Sequence, residues 1–159
     1  MEALTQEEIE ILLKEQEDGV LGFSDGEEPY CIPMGYQYID KFIYLSFFQI
    51  GRKWSYLAKN KKVCFNVFSW DSDRSSWQSV IIDGVLEKVT DINEIKKVIQ
   101  GNQIRFGLED SYLEKKIEYY KHSMGNEKAL KIYKIIPKKT GGTKMERALG
   151  TSPLRKNQK

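Results

Sequence analysis

Period-two apolar patterning dominates the chain and restricts it to a small set of folds. Six stretches read as strands: Val20 to Phe23, Pro29 to Tyr36, Tyr38 to Phe48, Val63 to Trp70, Trp77 to Val89 and Leu130 to Ile136. Each is rich in β-branched or aromatic residues and bounded by turn formers. Successive strands join mostly through turns and short helices, without the βαβ alternation that builds a parallel sheet. The pattern therefore predicts a mainly β fold with peripheral helices, a largely antiparallel meander closing into a barrel or sandwich.

Local signals refine this outline. The Asp25-Gly26 pair suits a tight hairpin turn, and Gly84 marks a bulge within a long strand. Pro29 and Pro33 lack the N–H that a central ladder needs, so Pro29 to Tyr36 belongs at an edge or a bulge, with backbone groups open to a ligand. Asp40-Lys41 interrupts the third strand without ending it.

Thr5 with Glu8 forms a capping box, and Ile9, Leu12 and Leu13 follow at helical spacing, which predicts a helix over about residues 5 to 17. A second short helix covers Gly51 to Asn60. Ile92, Ile95, Val98 and Ile99 fit a third helix, and Leu113, Ile117 and Tyr120 a fourth.

The 159 residues carry a formal charge of +2, distributed unevenly. Residues 1 to 130 hold a net −6 and residues 131 to 159 a net +8. One folded domain over residues 1 to 137 and a basic, flexible tail over 138 to 159 is the expectation. A basic tail also raises the possibility of a nucleic-acid arm, but no strand interleaves aromatic and basic residues, so nucleic acid is not an expected partner.

Apolar runs such as Phe42 to Phe48 fall far short of the ~20 residues of a membrane span, and MEALTQEEIE lacks the basic-then-apolar order of an export signal. Cys31 and Cys64 sit in strand-like runs without C-x-x-C spacing. They are expected to be reduced, buried and structural, in a cytoplasmic protein.

The usual catalytic constellations are missing. The single histidine, His122, lies in a polar helix, so neither a Ser-His-Asp arrangement nor a multi-histidine metal site can be built within one chain. Neither nucleotide-binding glycine fingerprint occurs. What remains is a strand running directly into Gly51-Arg52-Lys53 at a helix start. Free N–H groups, a glycine that permits close approach and two adjacent cations suit a terminal phosphate. The same residues also suit a plain helix start whose long cations lie over apolar surface, and spacing leaves both readings open. Gln78 and Ser79 head the strand Trp77 to Val89 and read equally as ligand contacts or as strand-end solvation.

Taken in order, PYCIPM, FIYLS with GRKWSYLAKN, KVCFNVF and WQSVIIDG resemble the FMN-binding split-barrel family related to pyridoxamine 5′-phosphate oxidase, in the branch that includes nitroimidazole-resistance proteins. The likeness covers about residues 19 to 90, and KIYKIIPKKTGGTK resembles the closing strand with its short extension. The resemblance implies a six-stranded antiparallel split β-barrel working as a homodimer, with FMN at two sites between subunits. It assigns Arg52 and Lys53 to the phosphate, with Gly51 making room. Ile32, Pro33 and Met34 would line the isoalloxazine through their backbone. Ser46, Phe47 and Ser79 would touch the flavin or its ribityl chain, with Gln78 and Trp77 as further candidates.

Related nitroimidazole-type sequences often carry a histidine where this chain has Ser46, and serine neither holds a cation near neutral pH nor readily ligates haem iron. By this resemblance the protein is a flavin-dependent oxidoreductase reducing a small electrophilic, nitroaromatic- or quinone-like substrate at the expense of a reduced carrier. The alternative is a non-catalytic flavin-binding, storage or sensor module of the same fold. Flavin chemistry asks the protein for orientation and electrostatics more than for acid–base groups.

Overall fold

A computed structural model describes residues 1 to 146. Among them are eight strands and four helices: β1 (Glu2–Ala3), α1 (Gln6–Glu15), β2 (Asp18–Ser24), β3 (Pro29–Gly35), β4 (Gln37–Ile39), β5 (Phe42–Phe48), α2 (Gly51–Lys59), β6 (Lys62–Trp70), β7 (Ser76–Lys88), α3 (Ile92–Phe106), α4 (Asp110–Ser123) and β8 (Leu130–Glu146). The strands pair antiparallel in the order β3-β2-β6-β7-β8-β5-β4, with β1 added to β8. This is a mainly antiparallel sheet curled into a half-barrel with attached helices, the split-barrel architecture that the resemblance implies.

Alternation explains the two faces. Inward positions such as Leu21, Leu45, Phe65, Val67, Val80 and Ile135 are almost wholly buried, together with Leu12 and Leu13 of α1 and Leu57 of α2. The capping box of α1 forms as expected, Thr5 Oγ1 accepting from the Glu8 N–H and the Glu8 carboxylate accepting from the Thr5 N–H.

A second cluster lies outside the sheet. There α3 and α4 place Ile95, Val98, Ile99 and Tyr120 over Tyr44 of β5 and Ile132 of β8. Charge pins this cover. Glu94 accepts from the Tyr44 hydroxyl at 2.7 Å and from Lys134 Nζ at 2.9 Å, while buried Lys131 donates to the last carbonyls of α4, Ser123 at 2.7 Å and Met124 at 3.0 Å.

Three sequence expectations change. The stretch Tyr38 to Phe48 is a hairpin, β4 with β5, because Asp40 and Lys41 both take positive φ, 50° and 70°, and reverse the chain between Ile39 and Phe42. The closing strand does not stop at Pro137, and the expected flexible tail is β-structure from Lys138 to Glu146. Pro137 is tolerated because it stands opposite Gly84 at a bulge, where the register steps to Asp83 opposite Lys139 and leaves Lys138 unpaired. The part of the tail after Glu146 lies outside the described residues.

Cys31 and Cys64 are exposed, not buried. The strands are apolar enough to suggest burial, but both cysteines occupy the outward phase and flank Gly22 from β3 and β6.

Candidate functional site

The cationic pair sits where β5 gives way to α2, beside a seam of the half-barrel. Among the described residues β3 ends the strand order, so one side of its backbone has no strand partner there, in keeping with the edge or bulge that Pro29 and Pro33 imply. Gly51 takes φ +73°, a left-handed conformation that costs glycine little. A Cβ there would meet open space, so its conformation, rather than crowding, calls for glycine. Ile50, the N-cap residue, supplies no side-chain cap and the first turn of α2 has no acid, which leaves the N–H groups and the positive end of the helix dipole available to an anion.

Arg52 turns toward β3. Its guanidinium lies 4.5 Å from the centre of the Tyr30 ring and 5.3 Å from that of Tyr56, and Nη2 donates to the Tyr56 hydroxyl at 3.2 Å. It also stands 3.7 Å from the Glu28 carboxylate. Even so, the Arg52 side chain is 57% exposed. Lys53 turns toward β5, its ammonium 4.5 Å from the centre of the Phe47 ring, and burial lowers its pKa from the usual lysine value.

Phe47 stacks on Tyr133 with ring centres 4.4 Å apart and is buried in the core. Its side chain therefore supports Lys53 from below, and only its backbone is left for a ligand.

The other predicted residues divide into two groups. Met34 and Ser46 line one crevice of about 470 Å³ between the barrel seam and α3, with Tyr44, Gln37, Arg105 and Phe106. Ile32 is half-buried against the core and Pro33 is exposed on the same edge strand. Ser46 is exposed and neighbours the Tyr120 hydroxyl, whose pKa burial pushes up to about 12.

Gln78 and Ser79 lie elsewhere. Ser79 stands opposite Thr143 of β8 and accepts from Asn66 Nδ2 at 2.7 Å, whereas Ser46 stands opposite Ile132. Those two β8 positions are separated by roughly 35 Å of strand at ~3.3 Å per residue. One chain thus brings Met34 and Ser46 together in one crevice, sets Arg52 against Tyr30 of β3 and Lys53 against Phe47 of β5, and leaves Gln78 and Ser79 on another part of the sheet.

A larger groove, about 1000 Å³, runs along the outward face of β2, β3 and β6, with Cys31, Cys64, Lys62 and Lys138 in its walls. His122 is on the surface of α4, its side chain 80% exposed. Among the described residues no three metal-ligating side chains come together, and no helix is long and apolar enough to cross a membrane.

Sequence reasoning missed the residues that hold Arg52. Tyr56 was within reach, because it lies four residues on and so shares a helix face with Arg52. Tyr30 and Glu28 carry no such signal, since only the packing of β3 against α2 brings them there.

Comparison with known proteins bears on this architecture. No functionally curated protein matches the chain. Among solved structures it is similar to a FAD-binding protein from Mesorhizobium loti, at 22% identity and TM-score 0.62, covering 91% of this chain and 98% of that one. A FAD-binding protein from Mycobacterium smegmatis gives 16% identity and TM-score 0.64, over 92% and 99% of the two chains. A Bacteroides thetaiotaomicron protein assigned to 5-nitroimidazole antibiotic resistance gives 21% identity and TM-score 0.66, over 90% and 86%. These likenesses show a shared fold. The sequence profile described as pyridoxamine 5′-phosphate oxidase matches residues 5–124, and by that match the chain belongs to the pyridoxamine 5′-phosphate oxidase family.

Proposed function

We propose that the protein binds FMN in a homodimer, with one flavin at each of two sites between the subunits, and uses it to reduce a small electrophilic substrate of nitroaromatic or quinone-like type. The observation that carries this reading is the uncapped start of α2, where two cations and free N–H groups meet the open edge of β3. A phosphate dianion fits that donor set, through charge-assisted bonds from Arg52 and Lys53. From Tyr30 to Met34 the edge strand runs on for roughly 13 Å at ~3.3 Å per residue, a length suited to a flavin lying along it. Two relatives of the same fold are described as FAD-binding and a third as a nitroimidazole-resistance protein, which supports a flavin.

The bound isoalloxazine would supply the redox step by accepting a hydride and passing electrons on. The chain's own residues would hold the phosphate, present backbone groups of Ile32, Pro33 and Met34 to the ring, and shape the crevice at Ser46. The separation of Gln78 and Ser79 from the seam supports a second subunit, because a neighbouring chain could bring its own pair to the flavin. The electron donor would be a reduced nicotinamide or similar carrier. The two exposed thiols fit a reducing, cytoplasmic setting.

The test is a binding titration of the purified protein with FMN and with riboflavin, followed by visible absorbance. FMN should bind far more tightly than riboflavin. The R52A/K53A variant should lose on the order of a hundredfold in FMN affinity, from two bonds of ~1.5 kcal/mol or more each, and leave riboflavin affinity unchanged. Equal affinity for the two flavins, or no binding of either, would refute the assignment. Binding without turnover across nicotinamide donors and nitro or quinone acceptors would instead identify a flavin carrier.

A further inference from the structure

The turn joining β2 to β3 is docked on α2 at three points. Asn60 Nδ2 donates to the Ser24 carbonyl at 3.0 Å, Lys59 Nζ lies 3.5 Å from the Asp25 carboxylate, and the Glu28 carboxylate accepts from the Tyr56 hydroxyl at 2.8 Å. Asp25 organises the turn from within, accepting from the Glu27 and Glu28 N–H groups at 3.0 and 2.9 Å. The placement of Glu28 is thus built into the fold. Its carboxylate reaches the cation that the proposed function assigns to phosphate, 3.7 Å from Arg52 Nη2, and shares the Tyr56 hydroxyl with it.

We infer that Glu28 is a built-in competitor for the phosphate site, an intramolecular anion that holds Arg52 when no ligand is bound and yields it when a phosphate arrives. This rests on the reading of Arg52 as a phosphate-binding residue. A carboxylate offers the guanidinium the same paired-oxygen geometry that a phosphate does. Any ligand phosphate must displace Glu28 from Arg52 or bind beside a like charge, and either course lowers its affinity. The consequence is a flavin that exchanges with solution instead of one bound permanently.

The experiment compares wild type with E28Q, and with E28A as a second variant, using FMN, riboflavin and inorganic phosphate as probes. An exposed ion pair is a modest competitor, so the FMN dissociation constant should fall by about three- to fivefold in both variants, mainly through slower release. Riboflavin affinity should not change, and inorganic phosphate should bind E28Q more tightly than wild type by about the same three- to fivefold factor as FMN. Unchanged FMN affinity in both variants would overturn the proposal. So would weaker FMN binding, which would make Glu28 a support for Arg52. Failure of wild type to distinguish FMN from riboflavin would instead refute the underlying phosphate reading.

Discussion

The outer surface of the sheet has two halves that the chain treats differently. Over β5 and the start of β8, the outward residues Tyr44 and Ile132 are buried beneath α3 and α4. Over β3, β2, β6 and β7 the same outward phase carries Pro33, Val20, Asn66 and Ile81 as one row across neighbouring strands, and no described residue covers it. Phe68 and Ile81 are each 49% exposed there. An antiparallel sheet can leave one face in water when that face is polar, but this face sets large apolar side chains beside a neighbouring row of Cys31, Gly22 and Cys64. The covered half is secured by its own charges, the buried Lys131 and the half-buried Lys134–Glu94 pair. Among the described residues the bare half has no buried charge to match Lys131, and a partner subunit is the cover that the proposed dimer would supply.

The largest effect should follow from spoiling the bare half. In F68D/I81D two exposed apolar residues become charged, which costs the isolated chain little because neither side chain is in the core. If this face is the dimer interface, each charge placed in it costs ~2 kcal/mol, and together they raise the dimer dissociation constant by roughly a thousandfold. Flavin retention should fall with it, since the proposed site is shared. Sedimentation velocity at micromolar concentration reads the outcome directly. A double variant that remains dimeric and yellow would mean that the second subunit sits elsewhere.

A smaller effect separates the seam from the face by pH. Burial against Phe47 lowers the Lys53 pKa, so its ammonium deprotonates before an ordinary lysine does as pH rises. The charged form is the one that binds phosphate. FMN affinity should therefore hold at neutral pH and decline by about tenfold on the alkaline side, starting below the usual lysine range. K53R should retain affinity further into alkali, because a guanidinium stays charged. Dimer dissociation of the flavin-free protein should be indifferent to the same titration. An identical pH profile for wild type and K53R would remove Lys53 from the phosphate site.

These contrasts also mark what could be read from sequence. The six long strands were legible because each carries a β-branched or aromatic run bounded by turn formers, although β5 was read as one strand with β4, and of the edge or bulge that the two prolines imply for β3 the structure shows the edge. The Gly84 bulge was legible too, but not its consequence, which is that Pro137 can pass through the ladder and let β8 run on to Glu146. A basic run with glycines reads as a tail when its partner strand is unknown. The anionic neighbour of Arg52 was invisible, because Glu28 comes close only through a turn docked over many residues of separation. The two cysteines failed for a subtler reason. In a strand with apolar residues at both phases, burial depends on phase, and one position decides it.

That phase error supplies the finest probe of the comparison. Cys64 Sγ leans over Gly22, close enough that a Cβ there would meet it at 2.7 Å, and Cys31 stands on the other side of the same glycine. Two strand spacings of ~4.8 Å separate the cysteine backbones, too far for a direct disulfide. Both thiols therefore stay free within one chain and report on whatever covers the bare half. Replacing them, as C31S/C64S, should change unfolding free energy by no more than ~0.5 kcal/mol, as expected for exposed positions. Their reaction with an aromatic disulfide reagent is the sharper reading. In the dimer the thiols should react slowly, and in F68D/I81D both should react at the rate of an unhindered thiol. Fast labelling of the intact dimer would place the interface away from Gly22, leaving the groove over that glycine open to solvent.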